Sequence, residues 1–204
     1  FAARRYPLAH RMPPRDRLPT AQDNIVLHCT STERFGLRGP GTMDWLASEG
    51  LGAPAVNEAV TLPCGTTVMR LGQQEVLLTA PIGSDGDRLR ELRTKWLRST
   101  LPSKGYDAGR EEGWAWFVVS GPAAPDLMRR ISMADMRPQG FASGNVAQTR
   151  ALNLDVVIVR LDRFGAVSYD IFFDIASAEF AVDVVAAAAA SLSSGFELAS
   201  LGSG

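Results

Sequence analysis

The 204-residue chain is poor in the groups that most often carry reactivity. It holds two cysteines, Cys29 and Cys64, and two histidines, His10 and His28. Two cysteines make no disulfide framework and fit a reducing compartment. The four side chains match no common metal-site spacing. His28 and Cys29, adjacent on a strand, would point to opposite faces. Two histidines also leave little material for proton transfer near neutral pH. Net charge is -1, so no overall field favours nucleic acid or a membrane surface. No apolar run is long enough to span a bilayer. The N-terminal stretch has no apolar core of the kind a secretory signal needs, and its first residue, Phe1, leaves room for residues ahead of it.

Sequence signatures of chemistry are missing too. No G-x-G-x-x-G follows a strand, so no dinucleotide site is expected. Gly36, Gly39 and Gly41 lie close together, but Pro40 spoils an anion-binding helix start. Neither a phosphate-binding G-x-x-x-x-G-K-[ST] nor a G-x-S-x-G nucleophile elbow occurs. Asp155, Asp162, Asp170 and Asp174 resemble a carboxylate cluster, although strand ends and turns explain them more simply. Trp114 and Trp116 would share one strand face, where they could stack a ring, anchor an interface or fill a core. No catalytic, cofactor-binding or metal residue is assigned.

What is present is an ordinary globular composition, 46% hydrophobic and 21% charged, enough for one ample domain or two small ones. The clearest signals lie between residues 113 and 192. The run Trp116 to Val119 reads as a strand, ended by Gly121-Pro122. Pro125 suits a first helical turn, and Leu127, Met128 and Ile131 give that helix an apolar stripe. Asp155 to Leu161 and Ala166 to Phe173 alternate as a hairpin around Asp162-Arg-Phe-Gly165. The period then lengthens to that of a helix, with Asp174 or Ser177 available as cap and Phe180, Val184, Ala187 and Ser191 on a narrow face.

Earlier, Ile25 to Cys29 and Phe35 to Gly39 read as strands. Thr42 can cap a short helix holding Trp45 and Leu46, and Gly50 can close it. Thr66 to Leu71 and Glu75 to Thr79 make a hairpin. Residues 51 to 65 read as turns. An amphipathic helix opens at Asp85 or Asp87, with Leu89, Leu92 and Trp96 on one face and Arg88, Arg90, Arg93, Lys95 and Arg98 on the other. That basic face suits solvent or an acidic partner better than phosphate. Residues 1–24 form a basic, proline-bearing arm with Arg4, Arg5, Arg11, Arg15 and Arg17. It is expected to lie across a partner subunit rather than fold back on its own domain.

An internal echo links the two halves. Phe35, Gly39-Pro40 and Asp44-Trp45-Leu46 recur as Phe117, Gly121-Pro122 and Asp126-Leu127-Met128, 82 residues on. Each copy reads strand, Gly-Pro corner, short helix, hairpin, helix. The expected fold class is α+β: two pseudo-repeated strand-helix-hairpin-helix halves sharing antiparallel sheets. The expected division is an extended basic arm at 1–24, a single domain at 25–192 with halves of about 25–100 and 113–192, and a C-terminal tail at 193–204.

The ordered set Ser120-Gly121-Pro122-Ala123, Leu127-Met128, Asp135, Gly144, Gln148-Thr149-Arg150 and the closing hairpin and helix resembles the gamma subunit of heterotetrameric sarcosine oxidase. That family belongs with the folate-binding domain of the glycine-cleavage T-protein. Leu37-Arg-Gly-Pro-Gly41, Trp45-Leu46, Val68 to Gly72 and Glu75 to Leu78 agree as well, so the match covers most of residues 30 to 190. The resemblance implies a T-protein-like fold and a bacterial, cytoplasmic flavoenzyme complex that demethylates an N-methyl amino acid. It implies alpha, beta and delta subunits as partners, with no nucleic acid and no membrane. NAD, tetrahydrofolate, FAD, FMN and zinc would sit in those other subunits, with tetrahydrofolate as one-carbon acceptor. The gamma chain itself would carry no chemistry and serve assembly. Relatives include the small subunit of N-methylglutamate dehydrogenase, and a stand-alone folate-binding module is a further reading. This chain departs from the pattern at Asp174-Ile-Ala-Ser177 and in its longer arm, and it has Asp155 alone where T-proteins often pair aspartates.

Overall fold

Short apolar runs separated by glycine corners become strands and helices of two units in the computed structural model, which describes Leu8 and residues 10–201. One unit holds the described residues up to Ser31 and from Trp114 onward; the other is Thr32–Gly113. In chain order the first unit opens with β1 (Pro14–Arg15) and β2 (Ile25–His28). The second unit contributes β3 (Arg34–Arg38), α1 (Thr42–Ser48), β4 (Glu58–Thr61), β5 (Thr67–Gly72), β6 (Glu75–Thr79), α2 (Asp87–Arg98), β7 (Tyr106–Asp107) and α3 (Arg110–Gly113). The first then resumes with β8 (Trp114–Ser120), α4 (Ala124–Ile131), β9 (Val146–Ala151), β10 (Leu154–Arg160), β11 (Ser168–Asp174), α5 (Ala178–Ala190) and β12 (Glu197–Leu201).

The echo reappears as shared topology. In each unit a strand leads through a Gly-Pro corner into a short helix, then three antiparallel strands, then a longer helix. The first strand always lies beside the last: β8-β11-β10-β9 in one unit, β3-β6-β5-β4 in the other. The corners match in backbone as well, with Gly39 at φ 99° and Gly121 at φ 118°. Only glycine visits such angles at little cost.

The halves expected to share sheets each have their own, one of seven strands and one of five. Ile25–His28, expected with the first half, pairs instead with β8. The stretch expected as a tail contains β12, which runs parallel between β2 and β1. Its sequence Glu-Leu-Ala-Ser-Leu has little apolar contrast, so the ladder with β2 defines it rather than its own pattern.

In the first unit, Ala115, Phe117, Val119, Val156, Ile158, Tyr169, Ile171 and Phe173 share a sheet face with Leu127, Met128 and Ile131 of α4 packed against it. The α5 face that joins them is Ala178, Ala181, Val182, Val185 and Ala189, not the expected Phe180 face; Phe180 is exposed. Small side chains let this helix approach the sheet closely, and the Phe180 ring stays at its margin. Asp174 accepts from the Ala176 N–H, whereas Ser177 caps nothing through its side chain. Thr42 likewise donates back to the Gly39 carbonyl instead of capping α1.

The described part of the arm folds back on its own unit, correcting the expected partner contact. Leu8 and Met12 are 0% exposed and belong to the α4–α5 core. Arg15 bridges Asp23 at 2.8 Å and Glu197 at 2.7 Å, and Arg11 reaches Asp183 and Glu179 on α5. Two apolar anchors explain this outcome: Leu8 and Met12 gain burial within their own unit. Arg4 and Arg5 lie outside the described residues.

The second unit packs Phe35, Leu37, Val68, Val76 and Leu78 against Trp45, Leu46, Leu89 and Leu92. Lys104 closes its longer helix, donating to the carbonyls of Trp96, Leu97 and Ser99.

Candidate functional site

The hairpin geometry of the first unit builds an open cavity at one end of its sheet. β9 and β10 turn through Leu152 and Asn153, at φ 55° and 60°. Two positive φ values match the twist of the flanking strands. The turn sets Gln148 opposite Val157 and Arg150 opposite Asp155. Next, Val157 faces Phe172, Phe172 faces Trp116, and Asp174 faces Trp114. Strand alternation puts all of these on one face.

Trp114, Gln148, Arg150, Asp155, Val157, Phe172 and Asp174 line a cavity of about 570 Å³, completed by Thr149, Val156 and Phe173. Trp116 stacks on Phe172 at 5.3 Å between ring centroids, fully buried. Trp114 is half-buried, its ring tilted 36° to Phe172 at 6.1 Å. The expected tryptophan pair therefore divides its roles: Trp116 is core, and Trp114 is cavity wall.

The four aspartates divide as well. Asp155 and Asp174 rim the cavity. Asp162 takes a fork from Arg160 at 2.8 and 3.0 Å. Asp170 is fully buried and paired with Arg163, whose guanidinium carbon lies 5.6 Å from the Trp116 ring centre. Burial pushes the Asp170 carboxyl up, and the Arg163 guanidinium pulls against that shift. Asp170 in turn raises Arg163 against its own desolvation.

His10 approaches Glu179 at 3.6 Å, His28 sits edge-on to Phe117, Cys29 is buried and Cys64 is exposed. The Cys64 thiol is held below its usual range, chiefly by hydrogen bonding from Thr66. Among the described residues no three His, Cys, Asp or Glu side chains converge on a metal position. No described helix is long and apolar enough to cross a membrane.

The arginine-rich face of α2 is largely neutralised within its own unit. Arg90 pairs with Glu33 and Asp87, Arg93 with Asp107 and Glu111, Lys95 with Glu49, and Arg88 with Glu91. Such a surface offers phosphate little unspent charge.

Sequence reasoning missed the cavity because β9 was not legible as a strand. Val-Ala-Gln-Thr-Arg-Ala has no apolar contrast, and its hydrogen bonds to β10 make it one. The available signal was the Leu-Asn turn before an unmistakable strand.

No family model matches the chain. Sarcosine oxidase subunit gamma from Arthrobacter sp. is 27% identical over 162 residues, 77% of either chain. One chain of the heterotetrameric sarcosine oxidase from Corynebacterium sp. U-96, solved in complex with pyrrole 2-carboxylate, matches with a TM-score of 0.68. It is 26% identical, and the match covers 91% of this chain and 94% of that one. This chain resembles a sarcosine oxidase gamma subunit in both sequence and fold. The glycine cleavage aminomethyltransferase T of Bartonella henselae matches at a TM-score of 0.58 and 12% identity, over 81% of this chain and 46% of that one. That likeness concerns the fold alone: the two-unit α+β architecture of the gamma-like chain is T-protein-like.

Proposed function

We propose that this chain is the gamma-type subunit of a heterotetrameric, flavin-dependent sarcosine oxidase, with its chemistry on partner chains and a role in assembly. The observation that carries this reading is the near end-to-end match, 91% of one chain and 94% of the other, to a chain of a heterotetrameric sarcosine oxidase. In this reading FAD, FMN, NAD, tetrahydrofolate and zinc reside in the alpha, beta and delta subunits of a cytoplasmic complex. The arm does not support the reading, because its anchors Leu8 and Met12 are held by their own unit.

The test is to purify the tagged chain from its native host and identify what accompanies it. The expected result is three further chains, flavin absorbance, and bleaching of that absorbance by sarcosine. Bleaching by N-methylglutamate instead would move the reading to the dehydrogenase relative. A chain that purifies alone and binds tetrahydrofolate in the micromolar range would replace it with the stand-alone folate module.

A further inference from the structure

We propose that β4 is a self-pairing edge, through which this chain associates with a second copy of itself across a two-fold axis at Val60. The proposal concerns the second unit alone and stands apart from the assembly just described. Four strands end the two sheets, β1 and β9 in one, β4 and β7 in the other. β1 and β7 are two residues long, and β1 begins with Pro14, which has no N–H to offer. β9 is met on its outer side, where Ser132 bridges Ala151 and the Met133 N–H donates to the Arg150 carbonyl at 3.0 Å. β4, Glu-Ala-Val-Thr, is longer than β1 and β7, and it pairs with β5 alone.

The ladder to β5 decides which backbone groups point outward. The Leu62 N–H donates to the Thr66 carbonyl at 2.9 Å, and Val60, opposite Val68, stands in the same phase. Val60 therefore spends its N–H and C=O on β5, and Ala59 and Thr61 turn theirs away from it. At the start of the strand Asn57, at φ 64°, donates to the Arg70 carbonyl that stands opposite Glu58, a bulge that ends the regular edge. Pro63 ends it on the other side. Between them stand Ala59, Val60 and Thr61, without a charge, a proline or a bulge to deter pairing. Among the described residues no backbone group meets the outer side of Ala59 or Thr61.

A second copy fits this edge in one register. Antiparallel pairing about Val60 sets Ala59 opposite Thr61 on both sides of the axis and answers every outward N–H and C=O of those residues. An axis at Thr61 would set Ala59 against Pro63, and an axis at Ala59 would set Thr61 against the bulged Asn57. Val60 is 39% exposed, on the sheet face of the core residue Val68, and in this register it meets its own counterpart. Ala59 and Thr61 are small enough to pass on the other face. Glu58, the one charge on the strand, faces Leu62 of the second copy. The two Glu58 residues then lie about 14 Å apart along the strands, beyond the screening length of about 8 Å at physiological salt.

The test is sedimentation of the full chain at rising concentration, up to about 1 mM, where weak association is populated. Backbone amide exchange is read in parallel. The expected result is a monomer–dimer equilibrium in which the Ala59 and Thr61 amides gain protection with concentration and the Val60 amide, already bonded to β5, gains none. Val60→Lys and Val60→Glu should each remain monomeric, because like charges then face each other across the axis. An equimolar mixture of the two should associate about fivefold or more tightly than either alone, since opposite charges now meet. Only a two-fold axis at this residue sets position 60 against itself. A charge on an exposed edge strand is tolerated, and unchanged melting midpoints check that both variants fold. The proposal is overturned if the parent stays monomeric throughout, or if the mixture associates no better than its components. A dimer that leaves the Ala59 and Thr61 amides unprotected forms elsewhere and overturns it too. Protection that appears only when chains co-purified from the host are added identifies a strand of another polypeptide at this edge, and the second copy is then ruled out.

Discussion

Arg163 and Asp170 meet as a buried ion pair at the β10–β11 hairpin, Nη2 2.8 Å and Nε 2.9 Å from the carboxylate oxygens. The residues on either side of Arg163 both have positive φ, 47° at Asp162 and 59° at Phe164. The pair thus fastens a turn whose backbone is costly for non-glycine residues. Removing one partner leaves the other charge buried without an answer. Asp170→Asn or Arg163→Met should each lower stability by about 3–5 kcal/mol, and Arg163→Met combined with Asp170→Leu should lower it less than either alone. Denaturant midpoints of the three variants decide this, and additive losses would contradict it.

Tyr169 offers a pH signature. Its hydroxyl donates to the Met136 carbonyl at 2.6 Å, and burial pushes its pKa up to about 12. A phenol whose folded pKa lies above its unfolded value stabilises fully below about pH 10. That contribution is lost as pH rises from there through about 12. Tyr169→Phe should cost about 1–2 kcal/mol near neutral pH, since the Met136 carbonyl loses its donor. The gap between parent and variant should close in alkali. Melting curves from neutral pH to the alkaline limit read both effects.

The matched corners should respond unequally to the same change. A Cβ on Gly121 would collide with the Asp23 carbonyl and come within 2.7 Å of Asn24 Oδ1, which already accepts from the Ala123 N–H. On Gly39 it would meet only the Tyr106 ring at 2.8 Å, and that ring is exposed and free to swing. Both positions pay for a left-handed backbone, about 1–3 kcal/mol. Gly121→Ala should therefore destabilise clearly more than Gly39→Ala. Equal losses in unfolding free energy would show that backbone angle, not crowding, sets the cost.

The arm should behave as part of the first unit's core. Met12 is 0% exposed, and Met12→Ala should cost about 2–5 kcal/mol. Limited proteolysis gives a second readout: residues 10–24 should resist cleavage in the isolated chain and become sensitive in the variant. An arm cleaved readily in the parent would return it to the role of a partner-bound segment.

Much of the chain's local structure was legible from alternation and punctuation. The β10–β11 hairpin, the helix beginning beside Pro125, the Gly-Pro corners and the basic helix all rest on neighbours in sequence, where side-chain period and φ preference act directly. The internal echo was legible as well, because its glycines and helix starts are local necessities. The candidate cavity was half legible: Trp114 could be placed on a strand face, but Gln148 and Arg150 lay on a strand without apolar contrast.

What the sequence determined by itself was therefore the pair of repeats, their α+β class and the family they resemble. The tertiary structure decided the rest. It brought β12 to β2 and β9 to β10, sent Leu8 and Met12 inward, and separated Trp116 from Trp114. It also sorted four similar aspartates into two held by largely buried arginines and two exposed at an open sheet end. These outcomes depend on which distant groups meet and how far water is excluded between them, and no local pattern records either.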